Sequence, residues 1–289
     1  MRIGIDARFL GEKLTGLARY SENLIEALAR VDDHNEYVVF VHSGLRRKLK
    51  LGPNFRLVPM RGYPLSLLSV LRMARAAAHE GLDLLHVHYP ASPLMCVCPV
   101  LITVHDTLPF VPESGVTGHR SHIWRLLWTR LLYPMSMNSA RWILCVSEAT
   151  RMALIRLYPM LVHKTIVVHS GVGDLFRTPM EAATADLVLR RLDLPPRYLL
   201  YSGSIRPEKN VDAMLKVFAT LRQNNEKMEE MHLIMETSGE EADLARVRRI
   251  VHQYALDKRV RIVRDAKDEE RRVIFENARL LLILSRAEG

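Results

Sequence analysis

Short runs rich in leucine and β-branched residues alternate with amphipathic stretches from one end of the chain to the other. The apolar runs predict strands over residues 2–7, 37–42, 55–59, 84–88, 100–104, 142–146 and 164–168. A second series follows at 198–202, 231–235, 260–263 and 280–284. Helical patterns fill the gaps. Across residues 240–254, for instance, Leu244, Val247, Val251 and Tyr254 recur on one face at helical spacing. Strand-helix alternation of this kind predicts an α/β protein with parallel sheets covered on both faces. Open sheets of that sort bind ligands beyond the carboxyl ends of their strands.

Residues 171–197 interrupt the rhythm with Gly171, Gly173, Pro179, Pro195 and Pro196, and the alternation restarts at Tyr198. The expected organisation is a first domain over 1–175, a linker over 176–197 and a second domain over 198–289. A chain of 289 residues is long enough for two such domains, each with its own core. The last predicted strand runs into Ser285-Arg286-Ala287-Glu288-Gly289, so the second sheet reads as unfinished, a truncated domain. There is no internal repeat.

Charge changes the picture in one respect. The chain carries a formal +9, with 20 Lys and Arg against 13 Asp and Glu in residues 1–175 and 21 against 19 thereafter. An excess in the first half suits an anionic partner: nucleic acid, an anionic membrane face or a diphosphate. Met1 leads directly into a short strand rather than a leader peptide, and no apolar run approaches the ~20 residues of a membrane span. Cys96, Cys98 and Cys145 form neither a CxxC pair nor a disulfide framework. A reducing cytoplasm is the expected compartment.

Candidate chemistry gathers just past strand ends. After the first strand, Thr15-Gly16-Leu17-Ala18-Arg19-Tyr20 opens a helix. Gly16 either lets the backbone approach a phosphate at the positive helix end or simply makes the turn. His105 and Asp106 follow strand 100–104. His105 can bond sugar hydroxyls or move protons, whereas Asp106 is equally a turn cap. Gly203, Arg206 and Lys209 lie in Tyr201-Ser202-Gly203-Ser204-Ile205-Arg206-Pro207-Glu208-Lys209-Asn210, again strand, turn and helix start. Cations there oppose the helix dipole by ~0.3–1 kcal/mol each, a cost that hints at an anionic ligand. His86 and His88 are read as pointing to opposite faces of strand 84–88, which argues against a two-histidine metal site. Arg120, Trp124, Arg125, Trp128 and Arg130 share an amphipathic helix with Ile123, Leu126, Leu127 and Leu131. That helix either packs on the sheet or docks on anionic lipid.

Ile5-Asp6-Ala7-Arg8, the Gly16 loop, Val104-His105-Asp106, Val146-Ser147-Glu148, Ser170-Gly171-Val172, the Gly203–Asn210 loop and Ser285-Arg286-Ala287-Glu288-Gly289 occur in one order. That order resembles the retaining family-4 glycosyltransferases, also known as glycosyl transferases group 1, along essentially the whole chain. The resemblance implies GT-B architecture, two Rossmann-like doubly wound parallel-sheet domains, the second incomplete here. It implies transfer of a hexose from a UDP- or GDP-sugar to a polysaccharide, glycolipid or lipid-linked acceptor, with retention of configuration and no metal or other cofactor. Arg206 and Lys209 would hold the departing diphosphate, with Gly203 in the same loop, and Gly16 would offer its backbone to phosphate. His105 would contact the donor sugar and Glu288 the sugar hydroxyls, with Asp106 and Ser147 as candidate sugar or acceptor contacts. Lipid-linked acceptors would bring the enzyme to the cytoplasmic membrane face. The pattern departs at Ala18, Gly173, His169-Ser170 and Glu236-Thr237-Ser238-Gly239, and it lacks the family's second motif Glu.

Three other readings stand beside this one. A catalytically inactive remnant would bind without turnover. A nucleic-acid binder rests on charge alone, without aromatic-basic interleaving or helix-turn-helix spacing, so none is expected. A nicotinamide dehydrogenase lacks its G-x-G-x-x-G.

Overall fold

The computed structural model describes residues 1–10, 15–46, 48–62, 64, 66–110, 127–177 and 179–286. The chain divides into two units, Met1–Gly171 and Val172–Glu288.

The first unit is built on seven strands, β1 (Arg2–Ala7), β2 (Glu36–His42), β3 (Phe55–Met60), β4 (Leu84–Val87), β5 (Val100–Val104), β6 (Trp142–Cys145) and β7 (Thr165–Val167). They pair in parallel in the order β3-β2-β1-β4-β5-β6-β7. Successive residues of β2 serve opposite faces. Tyr37, Val39 and Val41 join Ile5, Ala7 and Ile25 in one core, while Val38 and Phe40 join Leu85, Ile102 and Ile143 in the other. A strand buried on both faces must be apolar at nearly every position, which is why these runs show no alternation. The helices are α1 (Gly16–Val31), α2 (Leu67–His79), α3 (Tyr133–Ser139) and α4 (Glu148–Leu157). A π-helical turn, Trp128–Leu132, leads into α3. Of the amphipathic helix expected from Arg120 through Leu131, residues 120–126 lie outside the described residues.

The second unit has four parallel strands in the order β10-β9-β8-β11, with β8 (Tyr198–Ser202), β9 (His232–Thr237), β10 (Val260–Arg264) and β11 (Leu280–Leu281). Helices α5 (Ala182–Arg191), α6 (Val211–Asn224), α7 (Glu241–Gln253) and α8 (Asp268–Glu276) accompany them. Leu244, Val247 and Val251 of α7 are buried, as their spacing predicts.

Two expectations need correction. The segment read as a linker is part of the second unit: it holds α5, which reaches α8 through an Arg191–Glu270 ion pair at 2.6 Å. Its prolines and glycines flank the helix rather than break it. The last strand is shorter than its apolar run, because only Leu280 and Leu281 pair with β8. Leu282 nevertheless donates its amide to Leu200 at 2.7 Å, and Leu282 and Leu284 pack on the core. Among the described residues no helix is long and apolar enough to cross a membrane.

Candidate functional site

In the first unit the strand order reverses at β1, which has β2 on one side and β4 on the other. This switch point is where open parallel sheets hold ligands. Helix α1 begins here. Thr15 caps it, its hydroxyl oxygen accepting from the Ala18 amide at 3.2 Å, and Gly16 is the first helical residue. Gly16 has no positive φ, and a Cβ built on it meets nothing within 4 Å. Neither backbone conformation nor packing among the described residues calls for glycine there. What a bare Cα offers is a clear approach to the helix N-terminus.

One turn along, the Tyr20 ring packs edge-on against His88 and His105, with centroids 5.3 Å and 4.6 Å away. His86 lies 4.5 Å from His88, ring to ring. The expectation that His86 and His88 face opposite ways is therefore wrong. Side chains alternate with a period of two, so residues two apart share a face. His86 Nε2 meets the Thr103 hydroxyl at 2.8 Å. The Ser21 hydroxyl donates to the Leu17 carbonyl at 3.0 Å and sits 2.7 Å from His88 Nδ1. A serine has one proton to give, so His88 Nδ1 is the donor in that pair and its Nε2 is left as an acceptor.

Burial keeps this cluster neutral. It pushes His86 and His105 down to about 4 and His88 well below the ordinary imidazole value. For His105 a hydrogen bond to the His88 backbone works weakly the other way. Among the described residues, Nε2 of His105 and of His88 are buried without a hydrogen-bond partner. A neutral His105 is suited to bonding a hydroxyl, and at pH 7 it is a weak proton acceptor. Among the described residues no three His, Cys, Asp or Glu side chains are grouped to hold a metal ion.

The neighbouring candidates have local duties. Asp106 accepts from the Leu108 amide at 2.9 Å, the turn-cap geometry. Ser147 caps α4, accepting from the Thr150 amide at 3.0 Å. Sequence reasoning gave no role to Asp6 and Arg8, which form a buried two-bond ion pair at 2.7 Å. Arg8 also bonds Ser69 on α2. The signal was two opposite charges two residues apart at the end of an apolar strand.

In the second unit β8 ends at Ser202 and the chain turns through Gly203, whose φ of +154° and crowding by the Tyr201 hydroxyl (3.3 Å from a built Cβ) both favour glycine. Its amide donates to the Glu236 carbonyl at 3.0 Å. The Glu236 side chain, buried at the end of β9, accepts from the Ser202 hydroxyl at 2.6 Å and from Arg271 at 2.7 Å. Sequence reasoning marked Glu236 only as a departure from the family pattern and gave it no role, although a carboxylate continuing an apolar strand was visible. After Gly203, a single 3-10 turn, Pro207–Lys209, leads into α6. Arg206 is exposed, 3.8 Å from Glu208. Lys209 is half-buried at the entrance of α6, whose first amides have no helical acceptors. The Arg286 amide bonds the Glu208 carbonyl at 2.8 Å, which draws the segment after β11 against this loop. Glu288 lies outside the described residues. The structure thus collects Gly203, Arg206 and Lys209 in one place, and Gly16 and His105 lie at the switch-point end of the first sheet.

Comparison with known proteins decides the family. Residues 14–174 match the family model Glycosyltransferase Family 4. The chain belongs to that family. Residues 190–289 of this family-4 glycosyltransferase match a second family model, Glycosyl transferases group 1. No curated protein matches it. Among solved structures it is similar to sucrose-phosphate synthase from Thermosynechococcus elongatus, at a TM-score of 0.75 and 18% identity over 100% of this chain and 76% of that one. Anabaena HepE, solved with UDP-glucose, matches at a TM-score of 0.70 and 15% identity, over 99% of this chain and 74% of the other. WaaG, a glycosyltransferase involved in lipopolysaccharide biosynthesis, matches at 0.69 and 12%, over 99% and 75%. At these identities the likeness shows the fold, which is GT-B. Family and fold together make the protein a glycosyltransferase.

Proposed function

We propose that this glycosyltransferase moves a hexose from a UDP- or GDP-sugar to a polysaccharide, glycolipid or lipid-linked acceptor, with retention of configuration and without a metal ion. One observation carries the reading: Gly203, Arg206 and Lys209 come together between β8 and the N-terminus of α6. Negative charge develops on the diphosphate as the sugar departs. Preorganised cations and free helix amides at that point lower the barrier. Solved relatives of the same fold bind this class of donor: HepE is described in complex with UDP and with UDP-glucose.

In this reading Lys209 and Arg206 hold the diphosphate and the bare backbone at Gly16 accepts phosphate. The neutral His105 bonds a donor-sugar hydroxyl through Nε2, and Glu288 bonds others. Asp106 and Ser147 line the sugar or acceptor side while keeping their capping bonds. Calorimetric titration with UDP- and GDP-sugars, alongside Lys209→Ala, tests the assignment. A lost charge-assisted hydrogen bond costs about 1.5–3 kcal/mol, so the variant binds at least tenfold more weakly. Equal affinity in variant and parent would remove the diphosphate from this loop.

A further inference from the structure

Two cysteines of the first unit stand together at the end of the sheet remote from His105. Cys96 and Cys98 lie in the connection between β4 and β5, and their sulfur atoms are 3.5 Å apart, close enough for a thiol hydrogen bond. Both are free thiols, Cys98 buried and Cys96 half-buried. Both line a cavity of ≈ 540 Å³ at the amino ends of β5 and β6, whose wall also holds Arg141, Trp142, His163 and Lys164. A hollow of that size takes a small molecule.

The wall of this cavity is positively charged. Arg141 and His163 are exposed, and the Arg141 guanidinium stands 5.8 Å from the centre of the Trp142 ring. Lys164 Nζ donates to the carbonyls of Asn138 and Ala140 at 2.6 and 3.1 Å, at the C-terminal end of α3. An acid, Asp83, acts on Cys98 and accepts from the Arg2 amide at 2.7 Å. Burial, and then the hydrogen bond with Cys96, push the Cys98 thiol up to about 12. Cys98 therefore stays protonated at neutral pH, and Cys96, the more exposed thiol, is the one that meets a reagent in the cavity.

We infer that Cys96 and Cys98 form a reversible disulfide by exchange with an anionic low-molecular-weight disulfide bound in this cavity. In the first step the Cys96 thiolate attacks one sulfur of that disulfide. A mixed disulfide forms, and one small thiolate leaves and takes up the proton that Cys96 released. In the second step the Cys98 sulfur, losing its proton, attacks the Cys96 sulfur, and the second small thiolate leaves with that proton. Two protein thiols are oxidised and one small disulfide is reduced. Residues two apart have Cα atoms no more than about 7 Å apart, near the top of the range that a disulfide spans. The small ring so closed is strained, and an excess of small thiol reverses the step. Arg141 and Lys164 favour a co-reactant that carries carboxylates. The inference does not rest on the donor or acceptor assigned above.

The test is incubation of the full chain with excess glutathione disulfide, read over hours by intact mass and by thiol titration after denaturation. Of the three cysteines, two are expected to be lost as thiols and the fully buried Cys145 to remain. The mass falls by two hydrogen atoms, and dithiothreitol restores both thiols. Cys98→Ser is expected to stop at a stable glutathione adduct on Cys96, and Cys96→Ser to keep its thiols. Arg141→Gln, a change at an exposed side chain, slows the reaction with glutathione disulfide about two- to fivefold. The same variant reacts at the parental rate with hydroxyethyl disulfide, which is neutral. Three thiols retained, a lasting glutathione adduct on the parent, disulfide-linked dimers, or loss of two hydrogens in Cys98→Ser would overturn the bridge. The same rate change with both disulfides, or none with either, would overturn the anionic co-reactant.

Discussion

The amide of Arg286 and the carbonyl oxygen of Glu208 are joined at 2.8 Å, although the residues lie on segments that follow different strands. The bond couples the Arg206–Lys209 loop to the chain that leaves β11. Arg286→Pro deletes the donor, whereas Arg286→Ala retains it. A hydrogen bond of this kind contributes about 1 kcal/mol, so the proline variant is expected to bind donor about fivefold more weakly than the alanine variant. Calorimetry on the pair reads the difference, and equal affinities would show that the loop holds its shape without the bond.

Gly16 separates stability from binding. Its Cβ position is open and its backbone is helical. Gly16→Ala therefore stabilises the first unit by up to about 1 kcal/mol. If a phosphate approaches there, the added methyl weakens donor binding in the same variant. Denaturation and titration of one protein test both halves. Unchanged affinity would remove Gly16 from the site.

The buried imidazoles make stability depend on pH. His86 and His105 are pushed from the ordinary 6.5 to about 4 in the folded chain, mainly by burial. Between those values the unfolded chain binds more protons than the folded one, so stability is full above about pH 6.5 and falls as the pH drops toward 4. By pH 5 the loss is roughly 2 kcal/mol for each. Urea midpoints measured from pH 7.5 to 5 follow it. A flat profile would mean that the cluster is wetter than its packing shows.

Ser147 is used by its own helix. Ser147→Ala removes the cap of α4 and is expected to cost about 1 kcal/mol of stability. A fall in transfer rate beyond that stability loss, read by initial rates on fully folded variant, would add the sugar or acceptor contact that the family resemblance implies.

The local pattern determined the strands and where the candidate site residues fall along them. An apolar run long enough for β5 or β8 reads as strand whatever surrounds it, and the residue after its end must lie at the ligand edge of a parallel sheet. That logic put forward His105 and Gly203, and Lys209 in the loop that follows, as candidates. Tertiary structure decided what depends on partners distant in sequence. Residues 182–191 read as linker because their main partner in α8 is some 80 residues away. Leu282–Leu284 continue the apolar run but leave the ladder after Leu281. The roles of Glu236, Asp6 and Arg8 emerged only once Arg271, Ser202 and Ser69 were brought beside them. Charge spacing along a chain says nothing of which charges meet. The neutrality of the histidine cluster is likewise a property of burial, which three-dimensional packing alone confers.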